Sequence, residues 1–107
     1  MKNKERIMAI LDEIRSLSSD RITEYLADAL QIRVKWAYEY AENCNLPEVL
    51  LAIGSYNWYG GLYRGLKNDL IEKDVIVKIE RKIHDAEDLL VSDLVEIMRT
   101  KCGYRSI

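Results

Sequence analysis

The stretch from Asn45 to Leu66 constrains the fold more than any other part of this chain. No charged residue lies between Glu48 and Arg64, and apolar or aromatic residues fall on every face of a helix drawn through the stretch. Asn45 can cap the first turn, and the proline two residues later needs no amide partner there. A helix that is hydrophobic all round is typically buried all round. The sequence therefore predicts a buried central helix in an all-α fold.

Glycine is unusually frequent in this predicted helix. Four of the five glycines lie within it, although each costs about 1 kcal/mol relative to alanine in a helix interior. Gly54, Gly61 and Gly65 are spaced by seven and four residues, so they share one face. Such a face lets another backbone or a flat ligand approach closely. We expect these glycines to contact a helix of the same chain or of a second copy, with a ligand slot as the alternative.

The composition is that of one folded domain spanning residues 1–107. Hydrophobic residues make up 49% and charged residues 32%, which is ordinary for a globular protein. The net charge is −2, so no overall basic field attracts nucleic acid or anionic lipid. The charge-free run is too short and too rich in tyrosine and asparagine for a membrane span. We recognise no signal peptide and expect no membrane partner.

Three further helices are predicted from the spacing of apolar residues. They cover about residues 3–17, 20–44 and 74–102, with a turn between 67 and 74. Ser18, Ser19 or Asp20 can cap the second helix, and Gly103 ends the last one. Short connections favour antiparallel neighbours. The expected architecture is an antiparallel four-helix bundle with a nearly fully buried, glycine-rich third helix.

Cys44 and Cys102 do not form a C-x-x-C pair and are expected to be reduced. In an up-and-down bundle the second and fourth helices run parallel, so both cysteines lie at the same end. We nevertheless predict free thiols, because alternate helices of a simple bundle lie diagonally, beyond the roughly 7 Å Cα separation that a disulfide tolerates. A cytoplasmic location follows as the expectation.

Aromatic and basic side chains recur together in the second and third predicted helices. The candidate binding residues are Arg33, Trp36, Trp58, Tyr59 and Arg64, with Lys35 and Lys67 nearby. Rings beside guanidinium groups can stack unpaired bases. The alternative is that the rings fill the core, since the chain has no phenylalanine. Arg33 lies on an apolar stripe, where it needs a partner such as a carboxylate or a helix C-terminus.

We find no motif for catalysis or for metal binding. His84 is the only histidine, whereas a di-iron bundle needs a Glu-x-x-His from each of two helices. No nucleophile–base pair and no phosphate-loop motif is present. We expect His84 to be exposed, with a contact to a partner helix as the alternative. We expect no metal and no cofactor, and an enzyme ranks third among the possible functions. A solvated face is expected for the acidic cluster Asp85, Glu87, Asp88, Asp93 and Glu96.

Two helical families resemble parts of the chain. The run Ile53-Gly54, followed by Trp58-x-x-Gly61-Leu62-x-x-x-Leu66, is similar to the second core helix of small archaeal HEPN-like domains. Separately, Pro47-Glu48, Leu50-Leu51, Gly54 and Gly61-Leu62-x-Arg64 resemble the C-terminal part of translin.

Both resemblances imply helical hairpins that associate with themselves and with RNA-handling machinery. HEPN ribonucleases place an arginine four to six residues before a histidine, but here Arg81 precedes His84 by three. Translin-type proteins carry a glutamate after the motif glycine, where this chain has Leu62. Nuclease chemistry is therefore not expected to transfer.

The sequence leads to one functional hypothesis and one alternative. The first is a non-enzymatic, self-associating helical module that binds another protein, as an adaptor or regulator. The alternative is an RNA-associated helical bundle without nuclease activity, using the arginine–aromatic surface.

Overall fold

The computed structural model describes residues 3–66 and 72–105, and within these ranges the chain is helical without strands. The four helices are α1 (Lys4–Leu17), α2 (Arg21–Glu42), α3 (Leu46–Leu66) and α4 (Lys73–Thr100). The all-α, four-helix prediction is confirmed. The turn predicted between residues 67 and 74 lies mostly outside the described residues. Within the described ranges, no helix is both long enough and apolar enough to cross a membrane.

All four helices contribute to the core, and most of its buried residues belong to α2 and α4. Ile7, Leu11 and Ile14 recur at helical spacing in α1 and are fully buried, as the apolar pattern predicts. The longest stripe belongs to α4, which buries the residues Ile76, Ile79, Ile83, Ala86, Leu90, Leu94 and Ile97. Helix α3 packs chiefly along α2, and its contact with α4 is much smaller. One side of α3 is therefore left without a neighbouring helix.

Side-chain caps set the beginnings of α2 and α3. Asp20 accepts hydrogen bonds from the backbone amide of Thr23 and from its hydroxyl, both at 2.7 Å. Of the three cap candidates, Asp20 is thus the N-cap of α2. At α3, the Asn45 side-chain oxygen accepts from the Glu48 amide at 3.3 Å, as the cap prediction requires.

Two tyrosines of α3 connect it to the other helices. The Tyr56 hydroxyl donates to the carbonyl of Ile83 in α4 at 2.7 Å. The Tyr63 hydroxyl lies 3.0 Å from the Thr23 hydroxyl in α2. Burial raises the pKa of both phenols above their ordinary value, because ionised oxygens would lose hydration there. These rings fill the core with satisfied polar ends, which is the core alternative foreseen for the aromatic residues.

The prediction of a third helix buried on nearly all sides is wrong. Val49, Ala52, Tyr56 and Tyr63 are buried, but the exposed apolar residues of α3 are Leu50, Leu51, Trp58 and Leu62. The absence of charge therefore did not imply burial within one chain. The physical reason is the position of α3 at the edge of the fold, where α2 covers one side and α4 touches only part of another.

The prediction of two free thiols is also wrong, because Cys44 and Cys102 form a disulfide with a Cα separation of 5.4 Å. The two cysteines do lie at the same end of the fold, as expected. The wrong assumption was that α2 and α4 lie diagonally across the bundle, whereas in the structure they are in direct contact. Lys101 and Glu42 also pair beside the disulfide, with 2.6 Å between Nζ and Oε2. Beyond α4 the chain turns at Gly103, whose φ of +76° suits glycine.

Asp93 does not belong to the solvated acidic face. It is 2% exposed and lies where α1, α2 and α4 meet. Its carboxylate accepts from the Tyr38 hydroxyl at 2.6 Å and from the backbone and side-chain nitrogens of Asn3 at 3.1 and 2.9 Å. Burial, with Asp93 alongside, raises the pKa of Tyr38 well above its ordinary value. This cluster anchors the start of α1 to the other two helices.

Candidate protein-binding face

Arg33 is the centre of the contact between α2 and α3. Its guanidinium carbon lies 4.8 Å from the centroid of the Trp36 ring and 4.4 Å from that of Tyr59. Nε donates to the Ser55 hydroxyl at 3.0 Å, and Nη2 donates to the Tyr59 hydroxyl at 3.2 Å. Nη1 donates to the carbonyl of Ala29 at 3.4 Å. The expected carboxylate or helix terminus is therefore replaced by rings, hydroxyls and one carbonyl.

Two tryptophans project outward beside this centre. Trp58 packs its ring edge-on against Tyr59, with centroids 5.1 Å apart and planes at 83°. Trp58 nevertheless remains 60% exposed, and Trp36 is 43% exposed. Four of the five predicted binding residues thus come together: Arg33, Trp36, Trp58 and Tyr59. Arg33 and Tyr59 form the base of the cluster, while the two indoles are open to solvent.

Arg64, the fifth candidate, lies on another side of α3. Its Nε donates to Oε1 of Glu80 in α4 at 3.2 Å. The pair lines a cleft of about 220 Å³ between α3 and α4, together with Asn57, Gly60 and Gly61 and the exposed His84. Arg33 and Arg64 therefore do not converge on one basic patch. Lys35 is exposed, and Lys67 lies outside the described residues.

Exposed apolar side chains continue the tryptophan cluster along both helices. Tyr25, Ile32 and Trp36 of α2 are spaced by seven and four residues, and Leu51, Trp58 and Leu62 of α3 have the same spacing. Each of the six is exposed by more than a third. Tyr25 lines a groove with Leu62, and Trp36 lines another with Leu51, so the two stripes lie on the same side of the α2–α3 pair. We call these six residues the α2–α3 face.

Two grooves open on this face, one on each side of Arg33. The first, the Tyr25 groove, has a volume of about 180 Å³ and is lined by Ile22, Tyr25, Leu26, Tyr59, Leu62 and Tyr63. The second, of about 320 Å³, is lined by Trp36, Tyr40, Glu48, Leu51, Ala52 and Ser55. The first lining is almost wholly apolar, whereas the second includes a carboxylate and a hydroxyl.

The predicted glycine contacts are absent within the described part of the chain. A Cβ built on Gly54, Gly61 or Gly65 would meet nothing within 4 Å. Only Gly60 faces a neighbour, since a Cβ added there would lie 3.5 Å from Cγ2 of Ile83. The helix contact predicted for the three glycines inside one chain is therefore wrong, and the subunit interface remains a prediction.

Tyr25, Leu51 and Leu62 were not among the five candidate binding residues predicted from the sequence. Their signal is the matching spacing of the two stripes, neither of which contains a charged residue. Periodicity alone could not separate an exposed stripe from a buried one. Within residues 3–66 and 72–105, no group of three or more His, Cys, Asp and Glu side chains is placed to hold a metal ion.

Comparison with protein-family models, with curated proteins and with solved structures found no match for this chain.

Proposed function

We propose that this chain is a protein-binding helical module that associates with a second copy of itself through the α2–α3 face. The observation that carries the proposal is the concentration of exposed apolar and aromatic residues on that face. The role is non-enzymatic, that of an adaptor or regulator, and needs no cofactor. The resemblances to HEPN-like domains and to translin agree with self-association and remain predictions.

The size of the face supports association. With aromatic side chains of roughly 200 Å² and somewhat smaller aliphatic ones, the exposed fractions of its six residues amount to about 600 Å². This lies at the upper end of the apolar patches that monomers expose. It approaches the ~800 Å² that each partner contributes to a standard interface, of which a polar rim supplies part. Trp58 and Trp36 are the residue type most enriched among binding hot spots.

The charge distribution favours a second copy as the occupant. No charged residue of α3 lies between Glu48 and Arg64, so the α3 halves of two such faces meet without like-charge repulsion, and the exposed Asp28 and Lys35 beside the α2 stripe carry charges of opposite sign. Arg33 has its donors directed to Ser55, Tyr59 and Ala29 within the chain. These donors are therefore already used within the chain and offer little to a negatively charged partner.

The alternative is an RNA-associated bundle, which the arginine between two rings favours. Unpaired bases could stack on Trp36 and Trp58, and the stacking of a base on an aromatic side chain contributes about 1–3 kcal/mol. Affinity for RNA, however, comes largely from neutralised phosphates. Because Arg33 and Arg64 diverge, the face lacks that contribution, and we place RNA second.

Two further parts of the proposal concern packing and location. We infer antiparallel neighbours, supported by hydrogen bonds that join the start of α2 to the end of α3, as in Thr23 to Tyr63. A cytoplasmic location stays a prediction, but the expectation of reduced cysteines no longer supports it. Disulfides such as Cys44–Cys102 persist mainly in oxidising compartments, with intracellular proteins of hyperthermophiles as an exception.

Sedimentation velocity over a range of protein concentrations tests the proposal. We expect a monomer–dimer equilibrium, and we expect Leu62→Lys to raise the dimer Kd at least about tenfold by burying an unpaired charge. The matched control is Val91→Lys on α4, because Val91 is 38% exposed and Leu62 is 39% exposed. A monomer at every concentration would refute self-association.

A parallel titration with a fluorescently labelled single-stranded RNA separates the alternative. Binding that weakens steeply with salt and is lost in Trp36→Ala would favour the RNA reading. Dimerisation through apolar contact should change little with salt.

A further inference from the structure

Resting on the proposed self-association, we infer how the two copies meet: Trp58 of each copy inserts into the Tyr25 groove of the other. The α2–α3 face carries both a protruding aromatic side chain and an apolar recess. One copy therefore supplies both halves of the contact, and a second copy is the occupant whose chemistry and shape are already present in the molecule.

The Tyr25 groove is suited to an indole ring. Leu26 and Tyr63 are buried and form its floor, while Tyr25 and Leu62 are exposed and form its walls. Its volume of about 180 Å³ exceeds the roughly 150 Å³ of an engineered apolar cavity that binds benzene. The lining is almost wholly apolar, which suits the carbon face of an indole ring.

Trp58 is suited to be the inserted side chain. It projects from the middle of α3, where the ring of Tyr59 packs against its own ring and limits its motion. With 60% of its surface exposed, it has more apolar area to lose than any other side chain of the face. A ring held in place before association loses less conformational entropy on binding.

The positions of Trp58 and the groove allow a closed dimer. Leu62, a wall of the groove, lies one helical turn after Trp58 on α3. A two-fold axis that passes between these two positions sets each Trp58 beside the second copy's Leu62, so both insertions form together. Near that axis lies Gly61, which has open space where a Cβ would be, so the two α3 helices can approach closely.

Fluorescence of Trp58 tests this geometry directly. Trp36→Phe leaves Trp58 as the only tryptophan and keeps an aromatic ring on Arg33. In this variant we expect the Trp58 emission to shift to shorter wavelength as protein concentration rises, in parallel with dimer formation by sedimentation. Iodide quenching of the emission should fall over the same range.

Two substitutions test each half of the contact. Trp58→Ala removes the inserted ring, and we expect the dimer Kd to rise at least about 30-fold, as for a central hot spot. Leu62→Trp fills the groove with a side chain of the same copy, and we expect the same loss. Circular dichroism and thermal unfolding of the monomer establish that both variants fold. Val91→Ala on α4 serves as the control and should leave the dimer Kd unchanged.

The outcomes separate this inference from the proposed function. Dimers with unshifted Trp58 emission, or with an unchanged Kd in Trp58→Ala, would overturn the insertion and leave self-association intact. A wild-type chain that stays monomeric would overturn both. Loss of the dimer in Trp58→Ala and Leu62→Trp, with a shifted emission in Trp36→Phe, supports both.

Discussion

The disulfide between Cys44 and Cys102 should contribute a large part of the stability of this chain. It joins the end of α2 to the end of α4 across a sequence separation of 58 residues. In the chain-entropy treatment, closing a loop of that length in the unfolded state corresponds to about 4 kcal/mol. The adjacent Lys101–Glu42 pair is exposed and adds little. We therefore expect Cys102→Ser to lower the free energy of unfolding by about 4 kcal/mol.

The backbone at Cys44 allows a sharper test. Its φ is +55°, a left-handed conformation that costs a residue other than glycine roughly 1–2 kcal/mol. Cys44→Ser and Cys44→Gly both remove the disulfide, but only glycine relieves this cost. Cys44→Gly should therefore be more stable than Cys44→Ser by about 1 kcal/mol, less than the full cost because glycine also gives the unfolded chain more entropy.

Urea unfolding followed by circular dichroism measures these differences, with and without reductant. Reductant should destabilise the wild type to the level of Cys102→Ser and should leave the three variants unchanged. Thiol titration of the denatured, unreduced wild type should find no reactive group. Two reactive thiols, or a wild type whose midpoint ignores reductant, would refute the disulfide and restore the free-thiol prediction. Equal stability of Cys44→Ser and Cys44→Gly would refute the assigned backbone cost.

Three further predictions follow from single contacts. Asp20→Ala should cost about 1 kcal/mol through loss of the α2 cap, measured by urea unfolding. Burial opposes the ionised form of Asp20, but hydrogen bonds from Ser18 and Thr23 outweigh this effect and lower the pKa of the carboxyl below 3.8. The free energy of unfolding of the wild type should therefore exceed that of Asp20→Asn above pH 3.8, and the difference should decline as the pH falls below that value. Gly61→Ala should stabilise the monomer by up to about 1 kcal/mol, because the added methyl meets nothing within 4 Å; destabilisation only at concentrations that give dimers would place Gly61 at the interface. The pKa of Tyr38 is raised above 10.0, so the contribution of its neutral hydroxyl to the free energy of unfolding is complete below pH 10. This contribution declines as the pH rises further, by up to about 1.4 kcal/mol per pH unit. Tyr38→Phe should therefore lose less stability than the wild type at alkaline pH.

The sequence was most informative where local chemistry decides the structure. The apolar spacing placed four helices close to their observed bounds, and Asn45 and Gly103 act at the helix ends where they were expected. These features depend on residues within a few positions of one another. A cap or a buried stripe therefore leaves the same signal in most folds that contain it.

The sequence was least informative where the position of one helix against another decides the structure. Asp93 looks like its acidic neighbours in α4, and only the approach of α1 and α2 brings Asn3 and Tyr38 to it. The disulfide likewise depends on α2 and α4 being neighbours rather than diagonal. Arg33 and Arg64 looked equivalent in the sequence. In the structure, Arg33 contacts α3 from α2, whereas Arg64 extends from another side of α3 toward α4.

The error about α3 has a physical interpretation of its own. An apolar pattern reports that surface is to be removed from water, and it does not report which chain removes it. Inside this chain, α2 covers one side of α3, yet Leu51 and Trp58 stay more than half exposed. Leaving two such side chains in water forgoes roughly 1–2 kcal/mol each relative to burial. In the proposed dimer, a second copy would recover the share that belongs to Trp58 without any change in the packing of α1, α2 and α4. The prediction of a helix apolar on all sides and the observation of an exposed face are thus compatible, provided that the face is covered between copies.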